Sequence, residues 1–263
     1  MRKGAVMVRS FRVLAATDRG LVRDGNEDAG LVSPRLIAVA DGMGGHAAGE
    51  VASKIAITSL ATLGNVLDQS AVDSESREDL LLNICYSIDQ EIVDRTLENP
   101  ALSGMGTTLT ALHLTDETVE LLHVGDSRAY RWNGKKLSQL SVDHTVMQEL
   151  IDQGRLTPEE VHDHPQRSLL TQALMGDSGI DPVLVCLDAK SGEHFLLCSD
   201  GLTSVLSDYE IEQIIKRSDE ADLIADLISA TKAKGAPDNI TIIWAEVVDE
   251  ALTKRELLGA ADE

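Results

Sequence analysis

The chain opens with short apolar runs closed by turns that contain glycine and aspartate. SFRVLAATDRG, from Ser10, and LIAVA, Leu36 to Ala40, read as strands joined by charge-rich turns. The spacing then becomes helical. Val51, Ile55 and Thr58 recur among the alanines of Ala47 to Leu63, and Leu81, Ile84, Ile88 and Ile92 predict a second helix before Pro100. Between them, DQSAVDSESRED reads as a solvated connector. After SGMG the segments TTLTALHL, TVELLHVG and SRAYRW are brief and rich in β-branched residues, which predicts antiparallel strands, with a tight turn at Asn133-Gly134. Residues 143–175 break this pattern. A short amphipathic helix around Met147, Leu150 and Ile151 stops at Gly154, and Thr157, Pro158 and Glu160 have the order of a helix start. HFLLCSDGL predicts a strand entering a tight turn. Ser207 and Glu210 form a capping box ahead of Ile211, Ile214 and Ile215; Leu223, Ile224, Leu227 and Ile228 continue in helical spacing to Gly235, and NITIIWAEV is a closing strand.

This order lacks the regular strand–helix alternation of a doubly wound parallel sheet, so a layered α+β architecture is expected. No fixed repeat and no linker rich in proline and glycine divides the chain. The expectation is one domain over residues 1–263 with a flap at about 143–175.

Composition narrows the classes of function. Against 23 Lys and Arg stand 44 Asp and Glu, a net charge of -21, so nucleic acid and anionic membrane surfaces meet repulsion. No apolar run approaches the roughly 18 residues of a membrane span, and MRKGAVMVRSFRV turns polar too soon for a signal peptide. Cys85, Cys186 and Cys198 cannot all pair and have no CxxC spacing, which points to a reduced, cytoplasmic protein.

Among so many acids only position is informative. Asp41 follows LIAVA, Asp126 follows LLHVG, Asp200 follows FLLCS, and Asp238 precedes Asn239 and a strand. Four carboxylates at apolar strand ends would repel one another in a shared cleft, and Mg²⁺ or Mn²⁺ is the simplest partner that keeps them ionised. Gly42 would let the chain turn so that its carbonyl faces the same centre as Asp41. In VRDGNED, Arg23 stands close in sequence to Glu27 and Asp28, and a guanidinium fork suits two phosphate oxygens. The histidines form no HExxH or spaced Cys/His set, and His46 and His144 are the two worth testing near a substrate. GMGGHAAG and SGMGTT match neither nucleotide-loop spacing, and GDSRA is not a GxSxG elbow, so Ser127 is a poor nucleophile.

TDRGLVRDGNED, LIAVADGMGGH, SGMGTTLTAL, LLHVGDSRAYRW, the stretch from DHTVMQEL to LLTQAL, FLLCSDGL and APDNITII, taken in order, resemble the bacterial PP2C or PPM family of metal-dependent serine/threonine protein phosphatases. The resemblance runs from about Ala16 to Ile243. It implies a four-layer α-β-β-α sandwich with two central antiparallel β-sheets, and a cleft holding two Mn²⁺ or Mg²⁺ ions that activate a hydroxide for attack on phosphoserine or phosphothreonine. Carried over, Asp41 bridges the metals, the Gly42 carbonyl completes the first, and Asp200 and Asp238 hold the second. Asp126 joins Asp200 at a third, weaker metal. Arg23 receives the phosphate, Glu27 or Asp28 orients water, Asn239 steadies the Asp238 turn and Asp18 lies on the cleft floor. Met43 stands where many eukaryotic members have a histidine, so a different group must protonate the leaving oxygen. The flap would contact substrate, with Arg167 as its residue to test. Phosphoproteins, including a Ser/Thr kinase, are the implied partners of a monomeric enzyme. A phosphatase of small molecules or of a sigma-factor regulator, and a noncatalytic module of the same fold, are the alternatives.

Overall fold

The computed structural model describes residues 8–44, 48–67, 72–157, 169–176 and 179–262. Two antiparallel sheets lie face to face. The first has the order β1 (Ser10–Asp18), β11 (Ile240–Val248), β10 (His194–Cys198), β7 (Arg128–Trp132) and β8 (Leu137–Gln139). The second runs β12 (Glu256–Gly259), β2 (Asp28–Val32), β3 (Leu36–Met43), β5 (Leu109–Leu114), β6 (Thr118–Val124) and β9 (Val183–Asp188), with β4 (Gly106–Thr107) on the far end of β3.

Strand periodicity accounts for three layers of core. Along β3, Ile37 and Val39 meet Leu112, Phe195, Leu197 and Ile243 between the sheets, whereas Leu36, Ala38 and Ala40 face helices α1 (Ala48–Leu67) and α2 (Ser74–Glu98). Both faces are therefore buried, which is why LIAVA reads as an unbroken apolar run. Leu196 and Cys198 of β10 turn the other way, onto α5 (Asp208–Arg217) and α6 (Leu223–Ala233). The α-β-β-α sandwich expected from the resemblance is present. None of its described helices is long and apolar enough to cross a membrane.

Several elements differ from the sequence reading. The supposed connector is half helix: Asp73 accepts a hydrogen bond from the Ser76 amide and starts α2 at Ser74. β2, β8, β9 and β12 lie in stretches assigned no strand, so NITIIWAEV is not the last. SDGL is not a simple turn, because Asp200 begins the single helical turn α4 (Asp200–Thr203). Within residues 143–175 the described part holds α3 (Val146–Asp152), capped by Thr145, and two single-residue bridges, Thr145 to Leu170 and Thr107 to Leu174. The helix start read at Thr157, Pro158 and Glu160 extends outside the described residues.

Candidate active site

The sequence places its acids where strands of both sheets end. Asp41 lies near the end of β3, Asp200 follows β10, Asp238 lies two residues ahead of β11, and Asp126 sits in the turn from β6 to β7. All four line one cavity of about 230 Å³, together with Arg23, Glu27, Gly42, Met43, Thr108 and Leu170. Larger cavities of about 310 and 620 Å³ occur elsewhere, but each is lined by a single carboxylate residue.

The backbone here is tightly held. Thr108 accepts a hydrogen bond from the Asp41 amide through Oγ1 at 3.0 Å and donates its own amide to the Asp41 carbonyl at 2.9 Å. Thr107 Oγ1 donates to the same carbonyl. Gly42 is not in a turn: it is an extended strand residue paired with Thr107. Its lack of a side chain answers a packing need, since a Cβ there would lie 2.2 Å from the Gly49 carbonyl oxygen and 2.5 Å from that of Glu27. Gly201 is similar, with the Asn239 carbonyl 1.8 Å from a Cβ built on it.

The electrostatics follow from crowding four partly buried carboxylates in one cleft. Burial pushes Asp41 well above the usual carboxylate range, and Asp28, Asp200, Asp126 and Asp238 push it further. Asp126 is raised by burial and by Asp200, and Asp200 is raised to about 6 by burial and by Asp238. Asp41 and Asp200 are within hydrogen-bonding reach of each other. Two ionised carboxylates cannot share that geometry without a proton or a cation between them. An all-oxygen donor set of this charge fits hard divalent cations. Among the described residues, one group of three His, Cys, Asp or Glu side chains has all its ligand atoms within 4.8 Å, namely His194, Glu220 and Glu246 at the opposite end of the first sheet. The cleft acids are spread more widely, an arrangement suited to more than one ion.

The remaining expected residues fall into four groups. Arg23 and Glu27 line the cavity, but Arg23 Nη2 pairs with Asp238 Oδ2 at 2.6 Å rather than with the acids beside it in sequence. Asn239 does more than steady its neighbour: its Oδ1 accepts from the Glu27 amide, and its Nδ2 donates to the Arg19 and Gly25 carbonyls. Asp28, Asp18 and His144 lie behind the cavity wall. Asp28 stands opposite Asp41 in the β2–β3 register and accepts from Ser199 Oγ at 2.7 Å, and burial raises its pKa to about 7. Asp18 accepts from the Gly20 amide and from Lys232, so it ties the loop to α6 instead of flooring the cleft. His144 Nδ1 accepts from the Gly125 amide, and burial holds its pKa down. His46 and Arg167 lie outside the described residues.

Thr107, Thr108, Ser199 and Leu170 went unread in the sequence. Thr107 and Thr108 follow a glycine-rich turn directly, and Ser199 precedes Asp200, so a neighbouring glycine turn or acid was the available signal.

Residues 24–241 match the family described as protein phosphatase 2C. The serine/threonine protein phosphatase PstP of Mycobacterium tuberculosis is 43% identical over 242 residues, which are 91% of this chain and 45% of PstP. The chain thus spans about half the length of that relative. The serine/threonine phosphatase stp of Listeria monocytogenes is 34% identical over 88% of this chain and 93% of its own length. A crystal structure of the PstP catalytic domain with two manganese ions superposes with a TM-score of 0.82 at 40% identity, covering 92% of this chain and 100% of the other. The acids at the strand ends, the paired sheets that bring them together and these matches over most of the sequence have one account: the chain belongs to the protein phosphatase 2C family, in its bacterial branch.

Proposed function

We propose that the chain hydrolyses phosphoserine and phosphothreonine esters in proteins, using two Mn²⁺ or Mg²⁺ ions in the cleft. The observation that carries this reading is the convergence of Asp41, Asp126, Asp200 and Asp238 on one cavity beside Arg23. The manganese pair in the PstP domain supports it. Asp41, the Gly42 carbonyl, Asp200 and Asp238 are the residues assigned to the ions, with Asp126 and Asp200 at a third, weaker position. When bound, the ions lower the pKa of water and neutralise charge that builds on the phosphoryl oxygens.

The chain's own groups do the rest. The Arg23 guanidinium, about half exposed and anchored on Asp238, has N–H groups to offer two phosphoryl oxygens and orient phosphorus toward the acids. Thr107 and Thr108 hold the Asp41 backbone at a fixed depth. Glu27, half-buried, lines the cavity beside Arg23, its carboxyl pushed above the usual range by burial. Met43 lines the cavity but carries no transferable proton. Cysteine has no part: Cys85 is buried with its thiol pushed up to about 12, Cys198 is buried with its thiol pushed up as well, and Cys186 is on β9. Leu170 lies on the cavity wall, which supports a role for residues 143–175 in substrate choice, with His144 and Arg167 as the residues to test.

The chain is read as a monomeric, cytoplasmic domain that reverses the action of a Ser/Thr kinase, with the kinase itself among its substrates. Comparing phosphate release from phosphothreonine, phosphoserine and phosphotyrosine peptides and a chromogenic ester, with Mn²⁺ or with EDTA, tests the reaction. Mn²⁺-dependent release favouring the first two is expected. Release from the small ester alone would favour a small-molecule phosphatase, and no release from any substrate would leave a noncatalytic module.

A further inference from the structure

A second group of metal-type side chains lies far from the cleft. β10 carries Asp200 just past one end and His194 at the other, six positions away, so the two ends are roughly 20 Å apart at the rise of a strand. His194 stands directly opposite Glu246 in the β10–β11 register, so both side chains leave the same face of the first sheet. Glu220, in the 3₁₀ turn Glu220–Asp222 ahead of α6, reaches down to them from the helical layer.

We propose that His194, Glu220 and Glu246 form a distal binding site for a transition-metal dication of the Zn²⁺ class. One ligand atom from each lies within 4.8 Å of the others. The His194 Nε2 to Glu220 Oε1 separation is 3.9 Å, too long for a hydrogen bond but within reach of two atoms that each bond one ion at about 2.0–2.2 Å. An imidazole with two carboxylates is a mixed nitrogen and oxygen set, which suits Zn²⁺ better than the all-oxygen preference of Mg²⁺.

The surroundings orient the ligands before any ion arrives. The His194 ring is stacked on Trp244, with centroids 5.0 Å apart and planes inclined by 29°. Arg12 donates to Glu246 Oε2 at 2.8 Å, the kind of outer contact that holds a ligating carboxylate in place. Arg12 also donates to Glu250, so its one positive charge is shared between two acids while Glu220 adds a third. The patch keeps a negative balance that a dication would offset. An ion here would tie the start of α6 to β10 and β11.

The site does not depend on the reading of the cleft, and the test keeps the two apart. Zn²⁺ is titrated by calorimetry into the full chain carrying Asp41→Asn and Asp238→Asn, which weakens the cleft, and Co²⁺ binding is followed by its visible absorption. The expected result is one Zn²⁺ per chain, with affinity weakened about tenfold or more by either His194→Ala or Glu220→Gln. Glu220 is exposed, so its variant decides the matter if His194→Ala fails to fold. Zn²⁺ affinity within about twofold of the parent in the folded variants, or no Zn²⁺ bound once the cleft is weakened, overturns the site.

Discussion

Asn239 concentrates the structural demands of the cleft in one side chain. Its amide group bonds the Glu27 amide and the Arg19 and Gly25 carbonyls, and so holds the loop bearing Arg23 and Glu27 against the strand start that follows Asp238. Asn239→Ala leaves those groups unpaired in a buried place and is expected to cost about 1–3 kcal/mol in denaturant unfolding. Turnover should fall about tenfold or more because Arg23 loses its position. A variant with parental turnover would show that the loop holds itself. The acids were legible in the sequence because each follows or precedes an apolar run at a turn. Their partners were not: Thr107 and Thr108 stand 66 and 67 positions from the Asp41 they hold, and a serine beside an aspartate, as at Ser199, has too many ordinary uses to stand out. The Arg23–Asp238 pair joins residues 215 positions apart, a contact that local spacing cannot reveal.

At the scale of elements, the end of residues 143–175 is held by a buried carboxylate as well as by the Thr107–Leu174 bridge. Asp89 Oδ1, on α2, accepts from the amides of both Met175 and Gly176, where the chain leaves the flap. Leu170, five residues before Met175, lines the cavity. Asp89→Ala should therefore raise KM for a phosphopeptide several-fold, about 1 kcal/mol, while a small phosphate ester is turned over at nearly the parental rate. Asp89→Asn keeps an oxygen acceptor and should restore the peptide KM. Equal effects on both substrates would remove the link between this anchor and the flap. Elements with two buried faces or clear helical spacing were read well, as in β3, β10, β11 and α1. Those missed were β2, which begins in the acidic GNED turn, β9, an edge strand with exposed Val183 and Val185, and the short β8 and β12. A strand's apolar pattern is weak where one edge or face has no layer above it.

For the whole molecule, the cleft acids make stability depend on pH and on cations. Asp28 and Asp200, raised to about 7 and about 6, keep protons in the folded state that the unfolded chain has already released. Without a dication, their contribution is therefore lost as pH rises from about 4 through about 7. Mn²⁺ is expected to restore it, so the rise in Tm on adding Mn²⁺ should be larger at about pH 7.5 than at about pH 5. An equal or smaller rise at the higher pH would contradict the electrostatic account of the cleft. The net charge of -21 adds a general repulsion to this local one.

The central proposal is that the carboxylates gathered at the strand ends hold cations that give the chain phosphatase activity. Phosphate release from a phosphothreonine peptide, followed as Mn²⁺ is titrated into the parent and into folded Asp41→Asn, tests this most directly. The account predicts saturable, Mn²⁺-dependent release by the parent and a loss of about 10³-fold or more, roughly 4 kcal/mol, in the variant. Parental release by Asp41→Asn, or release by the parent that persists in EDTA, would contradict it.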